Sequence, residues 1–396
     1  MKPSRIRQLR DSFGSALLQD TMPFWIQHAV DRECGGFLPQ LDRRGAVFCP
    51  DKPMWIEGRF TWTLSRLYNT VERRSEWLTL AAHGIEFINR HGFDKDGRVF
   101  FLVSREGKPL RKRRYLFAEV FAVLAFAEYS RAAGDPKALD TARRLMALIR
   151  DTLARPWPQP GSLEPKVNPE TRPMRGHSMS MILINTLQVL READPAGAYD
   201  PQIDAQIEEV FRYFVKPEKR ALLETVGANG EYLGDLPEGR CVNPGHALET
   251  AWFLLIEARR RGDQELVKRA LPIIDWSLEL GWDRKHGGIL YFVDVEGKPA
   301  VQYEWDMKLW WVHNEALNAT LLAHVITGDR RYEEWFERIL RWAHGHFPDK
   351  TCGEWFGYLH RDGSVSHDLK GNTWKGPFHL PRQQLFCHLL LKELAG

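Results

Sequence analysis

Apolar side chains recur at helical spacing over most of the chain. After Asn243, for example, Leu248, Trp252 and Leu255 follow one another at intervals of three or four residues, which is the period of one helix face. Asn243 is a favoured N-cap residue, and Pro244 fits the first turn because its missing N–H costs nothing there. The same pattern predicts twelve helices, over residues 5–29, 55–72, 75–90, 114–133, 136–154, 176–193, 199–215, 244–261, 264–280, 307–327, 330–346 and 378–395.

Short hairpins or loops precede every second helix. The turn at 31–37 is echoed at 283–289 and, more loosely, at 352–356. Pro23 is expected to kink or restart the first helix. No linker rich in glycine, serine or charge interrupts the series, so residues 1–396 are predicted to form a single domain. A repeating unit of roughly 60–69 residues predicts an all-α (α/α)6 barrel, in which an outer ring of helices wraps an inner one.

The even-numbered helices carry polar residues near their N-termini. Four of these residues are histidines spaced 66 to 69 residues apart. If the even-numbered helices form the inner ring, all of these side chains converge at one open end of the barrel. The residues are Arg59, Glu119, His177, His246, His313 and His379.

His246 is the central candidate of this set. It lies in the first turn of its helix, where the positive end of the helix dipole favours a neutral imidazole that can act as a base. Glu249 follows three residues later on the same face. The alternative is a capping histidine with a salt-bridging glutamate.

The two charged members of the set have structural alternatives as well. Arg59 lies among tryptophan and phenylalanine residues, so it either pairs with Glu57 or supplies a fixed cation for an anionic oxygen. Glu119 lies in a similarly apolar segment, and a structural ion pair is the favoured interpretation for it.

Two further stretches contain candidates. Residues 304–315 are rich in tryptophan, and His313 and Glu315 are the functional candidates among their ionisable residues. His379 stands between Pro377 and Pro381 at the start of the last helix, and this rigid setting favours a functional role.

Composition removes several classes of function. A net charge of +3 without a long lysine or arginine run disfavours nucleic acid as a partner. No stretch approaches about 18 apolar residues, and no apolar leader is seen, so a cytoplasmic protein without a membrane partner is expected. The five cysteines contain no CxxC and indicate neither disulfides nor a zinc cluster. Nucleotide-binding, HExxH and GxSxG motifs are absent from the sequence, although three histidines and a glutamate could still hold a divalent metal.

Six stretches carry a family resemblance. They are NPGHALETAWFLL, EWDMKLWWVHNEAL, CGEWFGYLHRDG and KGPFHLPR, with weaker matches at WIEGRFTW and RECGGF. Together they resemble the N-acylglucosamine 2-epimerase family over nearly the whole chain. The resemblance implies an (α/α)6 barrel and metal-independent proton transfer at C2 of an open-chain sugar. No cofactor is therefore expected, and ATP, which activates some members of the family, is considered only as an effector.

The resemblance also implies roles for individual residues. His246 and His379 match the two acid/base histidines, Arg59 and Glu315 match the other essential polar residues, and Glu249 matches a supporting carboxylate. His177 departs from the acylglucosamine enzymes, which lack a histidine at its position. Members that act on unmodified sugars, such as mannose isomerases and cellobiose epimerases, carry one there, so the substrate could also be a free aldose.

General chemistry leads to the same type of reaction. A proton next to a carbonyl can be removed when a base reaches it and the enolate oxygen is stabilised. Two histidines on opposite faces of a cis-enediolate give epimerisation, whereas a single histidine carrying the proton from C2 to C1 gives aldose–ketose isomerisation. We expect the former, with Arg59 facing the enediolate oxygens. His177 or His313 is expected to open the sugar ring. The residues expected to bind the sugar are Glu119, His177, Glu249, His313, Trp305, Trp310 and Trp374.

Three rival functions remain open at this level. The first is an aldose–ketose isomerase in the same barrel. The second is a glycoside hydrolase, which would use paired carboxylates and is disfavoured because the converging residues are mostly histidine. The third is a catalytically silent binding protein. A small-molecule sugar is the expected partner, and we allow for a homodimer.

Overall fold

The computed structural model describes residues 1–395, and helices dominate it. The helices are α1 Pro3–Ser15, α2 Met22–Ala29, α3 Met54–Thr70, α4 Ser75–His91, α5 Phe117–Ala133, α6 Pro136–Ala154, α7 Ser178–Ala193, α8 Asp200–Glu209, α9 Pro237–Arg240, α10 Pro244–Arg261, α11 Gln264–Gly281, α12 Trp310–Thr327, α13 Arg330–His346 and α14 His379–Ala395. None of these helices combines the length and the apolar character needed to cross a membrane.

Two-residue and three-residue strands lie in the connecting loops. They are β1 Lys52–Pro53, β2 Leu102–Val103, β3 Pro109–Arg111, β4 Met174–Gly176, β5 Val215–Lys216, β6 Ala221–Leu222, β7 Thr225–Gly227, β8 Cys241–Val242, β9 Val293–Asp294, β10 Lys308–Leu309, β11 Tyr358–Leu359 and β12 Val365–His367. The strands form two three-stranded sheets, β1-β2-β3 and β10-β11-β12, and three pairs, β4-β7, β5-β6 and β8-β9.

Six helices close into an inner ring. The helices α3, α5, α7, α10, α12 and α14 contact one another in that order, and α14 returns to α3. Each of α4, α6, α8, α11 and α13 packs outside the inner helix that precedes it, and α1 packs on α14. The prediction of an (α/α)6 barrel is confirmed. Inner helices such as α12 bury nearly all of their side chains, whereas outer helices such as α13 bury a single apolar face, as their positions require.

Several predicted boundaries were wrong, for local reasons. The helix predicted from 307 begins at Trp310, because Lys308 and Leu309 pair with β11 instead. The first predicted helix is interrupted by a π-helical turn at Ala16–Thr21 directly before α2, whose second residue is Pro23. Pro23 therefore marks the restart that the sequence indicates.

A buried aspartate fixes each of the three repeated turns. Asp31 accepts backbone N–H groups of its own turn and pairs with the fully buried Lys52 and with Arg105. Two equivalent clusters hold the other turns, with the same combination of aspartate, lysine and arginine. They are Asp283 with Lys308 and Arg361, and Asp349 with Lys370 and Arg43. These clusters anchor the loops that surround the open end of the barrel.

Asp283→Asn is expected to lower the free energy of unfolding by about 1.5–3 kcal/mol, because the buried ammonium of Lys308 loses its carboxylate. The amide retains the oxygen that accepts the turn N–H groups, so the change reports mainly on the ion pair. Urea unfolding followed by circular dichroism measures it. Asp362→Asn, in an exposed turn, is the control and should change stability by less than about 0.5 kcal/mol. Equal effects of the two substitutions on the free energy of unfolding would contradict a stabilising role for the buried Asp283–Lys308 pair.

Candidate active site

A cavity of about 660 Å³ opens among the first turns of the inner helices. Its walls are largely aromatic and aliphatic, and they come from all six inner helices and the loops beside them. Polar groups interrupt this lining at a few points. They include Arg59, Glu224, His246, Glu249 and His379.

His246 contacts a carboxylate that the sequence did not indicate. The side chain of Asn243 caps α10 by accepting the N–H of His246 at 3.1 Å, as predicted. The Nδ1 atom of His246 lies 3.0 and 3.1 Å from the two carboxylate oxygens of Glu224, which follows β6. Burial lowers the pKa of His246, but Glu224, assisted by Glu249 and Glu315, outweighs burial and raises it. This contact opposes the neutral form of His246 that the start of α10 favours.

His379 lies in the opposite electrostatic setting. Its Nδ1 atom lies 2.7 Å from Oε1 of Glu315 and 3.4 Å from Nη2 of Arg382. Burial and the Arg382 guanidinium lower the pKa of His379 well below its usual range. His379 is therefore neutral near pH 7, and its Nδ1–H donates to Glu315. Within residues 1–395, Nε2 of His379 makes no hydrogen bond, which leaves its lone pair free to act as a base.

Arg382 joins these groups below the cavity. Its Nη2 atom donates to Glu249 and, at 2.6 Å, to Glu315. Trp252 donates its indole N–H to the other oxygen of Glu315 at 2.8 Å. Glu249, Glu315 and His379 also lie close enough together to hold a metal ion. The guanidinium already bonds to both of these carboxylates, so the donor set fits a buried cation that the chain itself supplies.

Arg59 is a cation without a carboxylate partner among the described residues. Its guanidinium lies over the rings of Trp55, Phe121 and Phe378 at 4.5, 4.1 and 5.1 Å. Glu57, the alternative partner, instead accepts the backbone N–H of Phe37. Burial lowers the pKa of Arg59 to about 9, so the side chain stays charged at neutral pH. A buried cation held this way is suited to an oxyanion.

The other predicted residues divide into those inside and those outside the cavity. Glu249, Trp310 and Trp374 line it, and Trp374 is half-exposed at its mouth. Glu315 is fully buried behind His379 and reaches the cavity only through that ring. Trp305 does not line the cavity: its backbone carbonyl accepts N–H groups from residues 291 and 292, and Arg361 lies over its ring. The expectation that Trp305 lines the cavity was wrong.

Glu119 and His313 were also expected at the cavity and lie elsewhere. Glu119 is fully buried and binds Arg98 at 2.7 Å, which is the structural ion pair favoured from its sequence context. His313 is bonded to Leu309 and Ile289 through its two ring nitrogens. Burial lowers its pKa to about 3, so it is a neutral core residue. Neither residue is placed to touch a sugar.

His177 lies behind the cavity wall. It is fully buried, its Nε2 atom is 3.1 Å from the hydroxyl of Thr250, and its Nδ1 atom is 3.8 Å from Glu224. The expectation that His177 lines the cavity and opens the sugar ring by direct contact was wrong. Its Nδ1 atom instead lies beside the Glu224 carboxylate that also contacts His246.

Sequence reasoning missed Glu224 and Arg382. The three-residue separation of His379 and Arg382 places them on one helix face, and this signal could have identified Arg382. Glu224 lies between β6 and β7 in an irregular segment, so no periodic pattern marks it.

Glu224→Gln is expected to lower the pKa of His246, because burial then acts without the main carboxylate that opposes it. The protonated imidazole would be lost at a lower pH, so the alkaline limb of the pH–rate profile should move toward acid while the acidic limb stays in place. Turnover measured from pH 5 to 10 tests this shift. Glu231→Gln, at the exposed turn that follows β7, is the control. If the alkaline limb does not move in Glu224→Gln, Glu224 does not set the pKa of His246.

These features define a class: an (α/α)6-barrel enzyme with two histidines in one aromatic cavity, whose pKa values are shifted in opposite directions. Comparison with known proteins identifies the family. The family model for N-acylglucosamine 2-epimerase (GlcNAc 2-epimerase) matches residues 35–379. The N-acylglucosamine 2-epimerase of Bos taurus is 37% identical over 389 residues, covering 96% of this chain and 90% of the relative. The chain belongs to the N-acylglucosamine 2-epimerase family.

Two solved structures share the fold. A cellobiose 2-epimerase from Bacillus thermoamylovorans superposes with a TM-score of 0.84 at 21% identity, covering 98% of this chain and 100% of that one. A D-mannose isomerase superposes with a TM-score of 0.81 at 19% identity, covering 97% and 98%. At these identities the likeness establishes the barrel, and the choice of substrate has to come from the cavity.

Proposed function

We propose that the chain is a sugar 2-epimerase that interconverts N-acyl-D-glucosamine and N-acyl-D-mannosamine through an enolate of the open-chain sugar, the counterpart of the cis-enediolate that a free aldose would form. The observation that carries this proposal is the presence of His246, His379 and Arg59 in one cavity, where the Arg59 guanidinium has no carboxylate partner within residues 1–395. The 37% identity to the Bos taurus enzyme of that name supports the choice of an N-acylated sugar.

The two histidines take complementary roles in the resting enzyme. Neutral His379 removes the C2 proton of the open-chain sugar through Nε2. The C–H electron pair forms the C1–C2 double bond of the enolate, and the carbonyl π pair moves onto the C1 oxygen. Arg59 stabilises the negative charge that develops on the C1 oxygen. Protonated His246 then delivers its Nε2 proton to the other face of C2, the C1 carbonyl re-forms, and the configuration is inverted.

The opposite epimer requires the opposite protonation pattern. After one turnover His379 carries a proton and His246 does not, so the pair must either return to its resting state or accept the other epimer. Each histidine is bonded through Nδ1 to its own carboxylate, Glu315 or Glu224, which orients Nε2 toward the cavity in both states. General acid–base catalysis of this kind typically contributes about 10²–10⁴-fold per group.

The lining of the cavity supports a sugar as substrate. Trp310 and Trp374 present aromatic surface suited to the C–H faces of a pyranose or an open-chain hexose. Glu249 adds a carboxylate that can accept hydrogen bonds from sugar hydroxyls. Trp374, half-exposed at the mouth, is placed to meet the sugar as it enters.

The direct test is ¹H NMR of N-acetylmannosamine and of mannose, incubated separately with the protein in D₂O. The proposal predicts N-acetylglucosamine with deuterium at C2. Fructose formed from mannose, with the acylated sugar untouched, would overturn it. Reducing ends released from oligosaccharides would indicate a hydrolase, and no turnover across a panel of hexoses would indicate a binding protein.

The second candidate is an aldose–ketose isomerase of the mannose–fructose type. It is favoured by His177, because the sequence resemblance associates a histidine at this position with members that act on unmodified sugars. Isomerisation needs only one histidine to carry the proton from C2 to C1. Deuterium at C1 of a ketose product would therefore distinguish it from epimerisation in the same assay.

We also propose that the reaction needs no metal and that the protein works in the cytoplasm. Arg382 bonds to both carboxylates of the candidate metal group, which supports the first point. All five cysteines are free, which supports a reducing compartment. Activity lost with EDTA and restored by one metal would contradict the metal-free proposal.

A further inference from the structure

Trp311 contacts both candidate acid/base histidines. Its indole ring lies 5.1 Å from the imidazole of His246 and 5.6 Å from that of His379, measured between ring centroids. The interplanar angles are 37° and 40°, so each imidazole is tilted over the indole in a packed arrangement. The neighbouring Trp310 meets His379 alone, edge-on at 6.2 Å and 84°. Trp311 is thus the aromatic link between two helices that each carry one histidine.

Gly245 leaves the space that this contact needs. A Cβ atom at position 245 would lie 2.6 Å from Cζ3 and 2.7 Å from Cη2 of Trp311, well inside van der Waals contact. Gly245 directly precedes His246 in the first turn of α10. Any larger residue there would displace the indole from the histidine beside it.

The charges that face the two histidines come from four inner helices and one loop. His246 is opposed by Glu224 from the loop, Glu249 from its own helix and Glu315 from α12. His379 faces Glu315 and Glu249 together with the cations of Arg382, Arg59 and His246. Trp311 is the uncharged aromatic group that packs against both rings, so its effects on the two imidazoles should have the same sign.

We propose that Trp311 is a shared positioning residue, whose indole holds His246 and His379 in one contact and favours the imidazolium form of whichever histidine carries the proton. An aromatic face attracts a cation that packs on it, and indole does so most strongly. The proposal rests on the two-histidine mechanism proposed above. In that mechanism the proton resides alternately on each ring. A group that stabilises both imidazolium forms to a similar degree helps either ring to hold the proton without favouring one enzyme state over the other.

The test is an NMR titration of the imidazoles in the unliganded protein, comparing wild type with Trp311→Leu, Trp311→Phe and Trp310→Phe. Removal of the indole in Trp311→Leu should lower the pKa of both His246 and His379 by about half a pH unit. Phenylalanine should retain part of the effect. Trp310→Phe is the matched control from the next position, and it should leave the pKa of His246 in place.

The direction of the shift separates this role from a structural one. Water entering the space left by the indole would relieve burial and raise both pKa values. Values that stay unchanged or rise in a folded Trp311→Leu protein would overturn the proposal. Gly245→Ala gives a second route, because alanine normally favours a helix over glycine while its Cβ displaces Trp311. A folded Gly245→Ala protein with both pKa values unchanged would also overturn it.

Kinetics provide an independent readout. Both limbs of the pH profile of kcat/KM should move toward acid in Trp311→Leu, whereas a purely structural loss would reduce its height without moving both limbs. The titration needs no substrate. Absence of epimerase activity in the wild-type protein would refute the proposed function. The effect of Trp311 on the pKa values of His246 and His379 could still be measured.

Discussion

His379→Gln is expected to reduce kcat/KM for epimerisation by about 10³–10⁴-fold while the protein remains folded. His379 is the neutral imidazole of the pair, and glutamine can keep a hydrogen bond to Glu315 but cannot accept the C2 proton. Conversion of N-acetylmannosamine followed by NMR measures the loss, and circular dichroism checks the fold. His360→Gln, at an exposed turn, is the control and should turn over normally. Wild-type activity in His379→Gln would exclude this histidine from the reaction.

Arg382→Met is expected to lower the free energy of unfolding by about 3–5 kcal/mol, because Glu249 and Glu315 are left buried without their shared cation. The same change removes the cation that lowers the pKa of His379, so this pKa should rise and the acidic limb of the pH profile should move toward neutrality. Denaturant unfolding measures the first effect and turnover against pH the second.

The control for Arg382 is Arg150→Met. Arg150 pairs with Asp151 on the surface, where both side chains are more than half exposed, and its removal should cost less than about 1 kcal/mol. If Arg382→Met were as stable as this control, the buried network would contribute little to the fold. If Arg382→Met were unstable but its pH profile kept the acidic limb of the wild type, Arg382 would not set the pKa of His379.

The barrel could be predicted because helical periodicity of apolar residues recurs along the whole chain. Helical spacing of apolar residues, the return of the aspartate turns and the capping residue Asn243 are all local signals. They place His246, His379 and Arg59 near the same end of the inner ring. The ends of helices were less certain, as Trp310 shows, because a two-residue strand leaves almost no pattern.

The direction in which each side chain points could not be predicted from the repeat alone. Histidines at similar sequence intervals lie at different distances from the starts of their helices. Each further residue along a helix rotates the side-chain direction by about 100° around the helix axis. In α12 the first two residues, Trp310 and Trp311, line the cavity, whereas His313 is buried in the core. The repeated spacing therefore correctly located the inner helices but overestimated how many histidines reach the cavity.

The protonation preference of His246 depends on a contact that the sequence does not indicate. The start of α10 alone favours a neutral imidazole. Glu224, from an irregular segment between two short strands, reverses this preference by direct contact at 3.0 Å. Only the three-dimensional arrangement brings this carboxylate to the histidine, so the assignment of acid and base had to come from the structure.

Solvent exchange at C2 in the two single-histidine variants tests the central claim most directly. In D₂O, His246→Gln retains the base His379, which should exchange the C2 proton of one N-acetylhexosamine epimer without inverting it. His379→Gln retains His246 and should exchange the other epimer instead. Exchange of the same epimer by both variants, or label appearing only at C1, would contradict the account that one histidine serves each face of the sugar.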